Sequence, residues 1–534
     1  MSATTSQEMD LLVRAKYQEF RQNEELAEGM IPQLGRLYRD HNVICLVYDR
    51  TLVNASPINI LKAHEFVRKE LQIDVHVHET FRLLSVVSKL DLSPARLDLG
   101  KLAVLAKEEG LLKDCLSRTM EELTLPSAEL DAFLRVHLSD LVGAGHRHVQ
   151  ERGRDVVLYG FGRIGRLVAR LLIEKAGAGD KLNLRAVVVR CKTKQMDDLR
   201  KRVSLLSLDS VHGPFRGTIE LDEEHCGFVA NGVLVQMIYA NRPSEVDYSK
   251  YGIHDALLID NTGMWRDSKG LRQHLMLKGI SKVLLTAPGS DIKNIVYGAN
   301  EDMISPDDEI ISAASCTTNA IVPILKLIDA EYGIESGHVE TIHSYTNDQN
   351  LIDNYHDKER RGRSAPLNMV ITETGAAKAA ERALPQLKGK LTGSAVRVPT
   401  PTVSLAILCL NLNQAVDKES LNEFMRESSL YSPLQNQIGY SSSMEAVSSD
   451  FVGNRNTGIV DSLATTVFGN RVNLYVWYDN EFGYACQVVR VIQHMAEIAH
   501  PRYPKKSISA SVSPSFARKE RGKHARCRSE DAPQ

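Results

Sequence analysis

One stretch of the chain is dense in groups able to do covalent chemistry: Ser315-Cys316-Thr317-Thr318-Asn319. An apolar, strand-like run ends near Ala313 just before it, and an apolar, helix-like run over 320–328 follows. Cys316 therefore falls at a strand-to-helix turn, where free N–H groups and the positive end of the helix dipole favour a thiolate. A lone cysteine is more often a small buried hydrophobe. Here the hydrogen-bonding neighbours argue for a nucleophile. Downstream, 338–346 reads as a strand with His343 and Thr346 near its end. His343 can take the thiol proton and later act as acid or base. The loop 347–366 brings Asp348, Arg360, Arg361 and Arg363; Thr374 and Gly375 lie where 372–378 opens a helix; Arg397 follows. Alone, the three loop arginines read as a solvated charge run. Beside a cysteine nucleophile, separated Thr and Arg residues suit a phosphorylated substrate, because guanidinium forks bind phosphate bidentately.

The elements in front of this cluster are those of a dinucleotide site. An apolar strand over 155–159 runs into Gly160-Phe161-Gly162-Arg163-Ile164-Gly165 and then an amphipathic helix. In that setting two glycines allow a tight turn beside a pyrophosphate, and the third lets helix and strand pack closely. The second strand, 184–189, ends in Arg190-Cys191-Lys192-Thr193-Lys194, with no acid to hold ribose hydroxyls. Arg190 would attract a 2′-phosphate that a carboxylate repels, which points to NADP or dual use. Two further buried runs end at Thr262-Gly263 and at Thr286. Such strand ends are where a nicotinamide and its ribose would lie in a doubly wound sheet.

At 534 residues the chain has room for several domains, and its net charge of −2 gives no general pull toward nucleic acid or membrane. No apolar run reaches the ~20 residues of a membrane span. Eight cysteines without a CxxC pair suit a reducing, cytoplasmic setting. Residues 1–150 read as mostly helical, with three- to four-residue spacing over 10–26, 60–71, 79–90 and 101–123. The run 43–48 is compatible with a strand or a buried helical turn. The pairs His76/His78 and His146/His148 lack partners at metal-ligand spacing, so no metal site is expected. This segment reads as an appendage for interaction or scaffolding. Residues 501–534, with nine Lys/Arg against three acids, read as a basic, disordered tail.

Seven motifs then fall in one family's order: Gly160 to Arg166, Asp209-Ser210-Val211-His212-Gly213, Ser315 to Asn319, Thr374-Gly375-Ala376-Ala377-Lys378, Leu391-Thr392-Gly393, Arg397-Val398-Pro399-Thr400-Pro401 and Trp477-Tyr478-Asp479-Asn480-Glu481-Phe482-Gly483-Tyr484. From 160 to about 500 the chain resembles phosphorylating glyceraldehyde-3-phosphate dehydrogenase, in a long form with an N-terminal extension. The resemblance implies an α/β fold: a Rossmann NAD(P)-binding domain over 151–315 and an α+β catalytic domain with a mixed or antiparallel sheet over 316–480. A C-terminal helix over 481–500 returns to the Rossmann domain, and a mainly helical extension, 1–150, precedes both. It implies Cys316 as nucleophile and His343 as its base. Thr346, Asp348 and Arg397 would hold the substrate's phosphate; Ser315, Thr317, Thr374, Gly375 and Arg361 would surround the attacking phosphate. Asn480 would orient the nicotinamide, and the loop 347–366 would reach a neighbouring cofactor in a homotetramer. Departures are Tyr159 for the usual Asn, the missing acid at Arg190, Asn354-Tyr355 for a Leu-Pro pair and Ala320 for a second Cys. The missing acid at Arg190 and the Asn354-Tyr355 change concern the adenosine end and lean toward NADP or mixed use. Erythrose-4-phosphate dehydrogenase and a non-catalytic regulatory protein on the same fold are the alternatives.

Overall fold

Leu26, Ala27, Met30, Leu34 and Leu37 are buried at three- to four-residue spacing, which makes the C-terminal half of α1 (Ser6–His41) one wall of a small core. The structure, a computed structural model, describes residues 6–48, 50–143, 153–175, 182–498 and 501–505. They divide into two compact units, 6–143 with 501–505, and 153–498.

In the first unit α1 leads into β1 (Val43–Val47), antiparallel to β2 (Arg50–Thr51). The ambiguous apolar run 43–48 is thus largely strand. Ser56 caps α2 (Pro57–Lys69), with Pro57 in the first turn, where its missing N–H costs nothing. Every residue of α3 (Val77–Val87) is buried. β3 (Ala95–Asp98) lies parallel to β1, and its last residue caps α4 (Leu99–Glu108). Two short helices, α5 (Met120–Thr124) and α6 (Ala128–His137), complete the unit. The open edge of β3 is taken by Arg502–Tyr503, parallel and in register with Arg96 and Leu97, and Tyr503 is buried. Residues 501–505 therefore belong to this fold and not to a tail, because an unpaired strand edge finds partners there. Residues 506–534, and His146 and His148, lie outside the described residues. Among the described residues no helix is long and apolar enough to cross a membrane, and no group of three or more His, Cys, Asp or Glu could hold a metal.

The first unit carries a buried titratable group. His64 donates from Nδ1 to the Ile60 carbonyl (2.8 Å), and its Nε2 meets the Thr80 hydroxyl at 2.8 Å. Burial pushes this imidazole down to about 4, against roughly 6.5 in an unfolded chain. Between those values the unfolded state binds the extra proton, so stability falls as pH drops below about 6.5 and the loss is complete near 4. Lowering the pH from 7 to 5 is expected to cost the unit about 2 kcal/mol. Denaturant midpoints read on peptides from 57–87 check this, with His64→Gln flattening the dependence.

The second unit holds two sheets. The first collects β4 (Arg154–Tyr159), β5 (Leu182–Val189), β6 (Ile219–Asp222), β7 (Gly227–Ala230), β8 (Val233–Tyr239), β9 (Ala256–Asp260), β10 (Ile280–Leu285), β11 (Lys293–Asn294) and β12 (Ile310–Ser312), with α7 (Arg163–Lys175), α8 (Gln195–Ser207) and α9 (Ser268–Leu271). Its order is β11-β12-β10-β9-β4-β5-β8-β7-β6. β4 lies between β5 and β9, parallel to both, so chain direction across the sheet reverses beside its C-terminal end, where doubly wound sheets take ligands. Val156 and Leu158 point into a core with α7, and Val157 and Tyr159 into a core on the other face. The second sheet follows α10 (Cys316–Tyr332). It contains β13 (Ile334–Ser344), β14 (Val370–Thr372), β15 (Leu391–Val398), β16 (Ser404–Leu412), β17 (Ile438–Ser441), β18 (Gly458–Phe468) and β19 (Arg471–Tyr478), with α11 (Ala376–Ala383) and α12 (Lys418–Tyr431). Its order is β14-β15-β13-β16-β19-β18-β17, of mixed direction. Ile321, Ile324, Leu325 and Ile328 of α10 are buried with Val339, Leu408, Leu474 and Val476. Finally α13 (Phe482–Met495) packs Val488 and Ile492 into the core of the first sheet, with Val156 and Leu158.

Candidate active site

β12 ends at Ser312, and three residues, 313–315, turn the chain into α10. Ala314 adopts a left-handed backbone (φ 55), a costly conformation for alanine, and its carbonyl accepts from the Tyr484 hydroxyl at 2.9 Å. Ser315 then caps α10 by accepting from the Thr318 N–H (3.1 Å), while the Asn319 amide donates back to the Ala313 and Ser315 carbonyls. This turn puts Cys316 at the first helical position. Its Sγ lies 3.5 Å from Nε2 of His343, near the end of β13. The His343 Nδ1–H donates to the Ser344 carbonyl at 2.7 Å. Arg397 Nη1 also lies 3.1 Å from Nδ1, but the closer carbonyl can only accept and so calls for a proton on Nδ1; in that tautomer the Nε2 lone pair faces the sulfur. Arg397, paired in register with His343 on β15, donates to the same carbonyl at 3.1 Å.

Burial and the Arg397 charge hold His343 down to about 3. Burial also pushes the Cys316 thiol up, although Arg397 and hydrogen bonds oppose it. Burial thus works against the charged form of both groups and opposes the thiolate that the helix terminus favours. Desolvation outweighs the dipole here. Cys316 itself stays partly open to solvent, whereas His343 is 5% exposed.

Below the pair lies a network that the sequence reading did not assign. The fully buried Tyr478 hydroxyl meets Thr317 Oγ1 at 3.0 Å and Thr341 Oγ1 at 2.7 Å, and its ring stands edge-on to His343. Thr317 is thus turned inward. Tyr478 belonged to one of the motifs above, so a signal existed, but spacing gave it no role.

Of the candidate arginines, Arg397 and Arg361 join one connected cluster, whereas Arg363 pairs with Asp353 at 2.8 Å. Arg397 Nη1 donates to Thr346 Oγ1 (3.1 Å), Thr346 bonds Asp348, Asp348 pairs with Arg361, and Arg361 Nη2 donates to Thr372 Oγ1 (2.9 Å). Burial raises Asp348, but the Thr346 hydroxyl and the two guanidinium charges bring it below its ordinary value. The Nε atoms of both arginines are buried without a partner. The two sets of residues separated by the sequence reading therefore meet through Asp348 and Arg361. Thr374 and Gly375 lie apart from these bonds, at the start of α11. The Thr374 hydroxyl accepts from the Ala376 N–H, and Gly375 borders open space.

At the end of β4 the glycine turn has the shape of a phosphate cradle. Gly160 has φ 94, a Cβ on Gly165 would stand 2.5 Å from the Gly160 carbonyl oxygen, and a Cβ on Gly162 would meet nothing. The first and third glycines thus tighten the turn, and the second leaves space above the start of α7. The side chain of Phe161 is buried in the core, so only its backbone can face a ligand, while the half-buried Ile164 packs against the same core. Arg163 is likewise committed, to Asp209, to Glu481 and to His212 Nδ1. His212 Nε2–H donates to Asp479 (2.9 Å), whose other oxygen accepts from the N–H groups of Glu481 and Phe482. That turn carries Asn480, whose side-chain oxygen accepts from the Ser404 hydroxyl at 2.9 Å. Thr262 and Thr286 bond back to Asp260 at the ends of β9 and β10, and Gly263 is left-handed (φ 62). Arg190, exposed after β5, donates to Met264 Sδ at 3.4 Å. This cradle fits a dinucleotide.

Comparison with known proteins agrees with the geometry. Residues 154–268 match the family model for glyceraldehyde 3-phosphate dehydrogenase, NAD binding domain, and residues 315–480 match that for its C-terminal domain. A glyceraldehyde-3-phosphate dehydrogenase-like protein of Pseudomonas aeruginosa (strain UCBPP-PA14) is 56% identical over 479 residues, 89% of this chain and 100% of that one. Glyceraldehyde-3-phosphate dehydrogenase of Priestia megaterium is 38% identical over 340 residues, 63% of this chain and 96% of its own. Glyceraldehyde-3-phosphate dehydrogenase 1 of Bacillus subtilis is 37% identical over 345 residues, 64% and 98% of the two chains. The long match to the first takes in much of the N-terminal unit, which the shorter matches have no length to cover.

Proposed function

Because the chain belongs to the glyceraldehyde-3-phosphate dehydrogenase family and binds NAD(P), we propose that it reversibly oxidises glyceraldehyde 3-phosphate to 1,3-bisphosphoglycerate. The observation that carries this reading is the 3.5 Å approach of Cys316 Sγ to a His343 Nε2 held as acceptor, beside the Arg397 and Arg361 cluster. Sγ attacks the aldehyde carbon while Nε2 takes the thiol proton and passes it to the carbonyl oxygen, giving a thiohemiacetal on Cys316 and a neutral Nε2 again. The bound nicotinamide supplies the hydride acceptor for its oxidation. Nε2 takes the hydroxyl proton of the thiohemiacetal in that step, leaving a thioester on Sγ. Inorganic phosphate then attacks the acyl carbon, releasing the acyl phosphate and returning the sulfur to its thiol form.

In this reading Thr346, Asp348 and Arg397 hold the substrate's phosphate. Arg361, Ser315, Thr374 and Gly375 surround the attacking phosphate, and Thr317 joins them once its hydroxyl leaves Tyr478. Asp348 keeps the two guanidinium groups apart in their forks while no anion is bound. Asn480, with its oxygen held by Ser404, keeps its amide hydrogens for the nicotinamide carboxamide. Arg190 favours NADP or dual use. The loop 347–366 leaves Tyr355 86% and Ile352 77% exposed, which supports a subunit contact there and a homotetramer.

Assay of NAD and NADP reduction with and without phosphate tests the reading. Turnover is expected to depend on phosphate, to favour glyceraldehyde 3-phosphate over erythrose 4-phosphate, and to give a kcat/KM on NADP at least equal to that on NAD. Preference for the tetrose would reassign the substrate, a large NAD preference would overturn the role of Arg190, and no turnover would leave a regulatory protein.

A further inference from the structure

α1 is amphipathic in one phase over 9–37, but only half of that apolar face is covered. From Leu26 on, that face is buried at Leu26, Ala27, Met30, Leu34 and Leu37. Traced backward with the same alternation of three and four residues, it passes through Asn23, Phe20, Lys16, Val13 and Met9, flanked by Leu12 and Tyr17. All of 9–22 is exposed: Phe20 is 43%, Met9 48%, Leu12 51%, Val13 60% and Tyr17 63% open to solvent. A projecting helix of this length is marginal in water by itself. A contiguous apolar stripe on it marks a docking surface.

We propose that this stripe pairs antiparallel with the same segment of a second copy of the chain. The residues nearly repeat about a two-fold axis between Arg14 and Ala15. In that register Met9 faces Phe20 of the second copy, and Val13 faces Lys16. These are the alternating layers of an antiparallel coiled coil, in which each a-type position meets a d-type one. Lys16 is the residue that selects this partner. Against an unrelated apolar helix it would be a buried cation, whereas here its methylene stem covers Val13 and its ammonium stays at the rim with Glu19, 2.7 Å away on its own helix. Asp10 and Arg14 pair in the same way, at 3.2 Å. The exposed segment has three cations against two acids, so charge neither opposes self-association nor draws it to an anionic lipid surface.

The overlap over 9–20 spans roughly 18 Å. That is too little for a tight dimer alone, and it acts as a tie within an assembly held elsewhere, through the effective concentration that assembly supplies. The inference rests on the assembly proposed above only for its strength, not for its register.

The test uses the full chain carrying Val13→Cys and Lys16→Cys, treated with a short bismaleimide. The expected product is an intermolecular link from residue 13 to residue 16, mapped by mass spectrometry. It should be absent from the parent with its eight native cysteines, and from Arg14→Cys/Gln18→Cys on the outer face. Val13→Asp/Phe20→Asp should keep its specific activity while its assembly dissociates at concentrations at least tenfold higher. Equal linking at the outer face, or none, would overturn the register. Amide protection of 9–20 that does not change with protein concentration would place another part of the same chain on the stripe, and would overturn the proposal. Loss of activity in the parent would instead bear on the catalytic reading.

Discussion

Replacing Cys316 with serine is expected to lower phosphate-dependent reduction of NAD(P) by about 10⁴-fold or more, the scale of losing a covalent nucleophile. The cause is the resting state of the pair. His343 is held down to about 3 by burial and Arg397. Such an imidazole is a weak base, sufficient for a thiol whose sulfur carries charge well, but not for a serine hydroxyl. A factor of 10⁴ corresponds to about 5.5 kcal/mol of barrier. The fold should be unaffected, because serine is close in size and Ser315, not Cys316, caps α10. Three measurements separate lost chemistry from lost structure. Dinucleotide binding should change by less than about twofold, since none of the cradle rests on the sulfur. The initial burst of one NAD(P)H per site should disappear. An acyl adduct at Cys316, trapped from the parent without phosphate, should be missing. A variant that keeps the burst would remove Cys316 from the mechanism. The other described cysteines do not offer a substitute. Cys45, Cys115 and Cys486 are buried, the exposed Cys191 donates to the Thr193 carbonyl, the half-buried Cys226 donates to the Met237 carbonyl, and burial raises the half-buried Cys409 within β16.

Much of this site could be read from residue order because the deciding forces are local. Ser315 before an apolar run marks a helix start, and Cys316 begins α10. A strand, three glycines and a helix specify a cradle, and φ at Gly160 with the close approach at Gly165 shows why. What sequence could not yield depends on depth and on distant partners. The helix-terminus argument for a thiolate is sound locally, but the desolvation that outweighs it comes from packing with strands many residues away. Loop spacing cannot tell that Arg361 bonds both Asp348 and Thr372, and so links residues assigned to two separate pockets. Arg163 lies in the glycine motif, yet its side chain turns away to Asp209 and Glu481, the latter more than three hundred residues on. In the first unit, a strand at 502–503 completes a sheet begun at 43. No local pattern foretells that pairing, and composition argues against it.

His343→Asn is expected to lower kcat/KM by roughly 10²- to 10⁴-fold, the range for losing a positioned general base. Asparagine is the informative choice because its amide can still donate to the Ser344 carbonyl, as Nδ1 does at 2.7 Å, while nothing replaces Nε2 at the sulfur. The size of the loss does not by itself prove proton transfer, but its pH dependence does. Between the two titrations of the Cys316–His343 pair, one proton is shared. When Nε2 takes the proton as the carbon–sulfur bond forms, the reacting species is the neutral pair itself, whose population does not change with pH between those titrations. His343 titrates at about 3, and burial holds the thiol above its ordinary value. Alkylation of Cys316 by iodoacetamide, which is neutral and needs no phosphate site, should therefore proceed at a nearly constant rate from about pH 5 to 8 in the parent. Without the imidazole only the ionised thiol reacts, and the rate should rise close to tenfold per pH unit over the same interval. Arg397 remains in the variant, so its field alone cannot produce the flat profile. If His343→Asn alkylates at the parent rate with a flat profile, His343 only shapes the pocket and another group accepts the proton. If the parent shows the tenfold slope, the pair does not share a proton, and the 3.5 Å contact is packing.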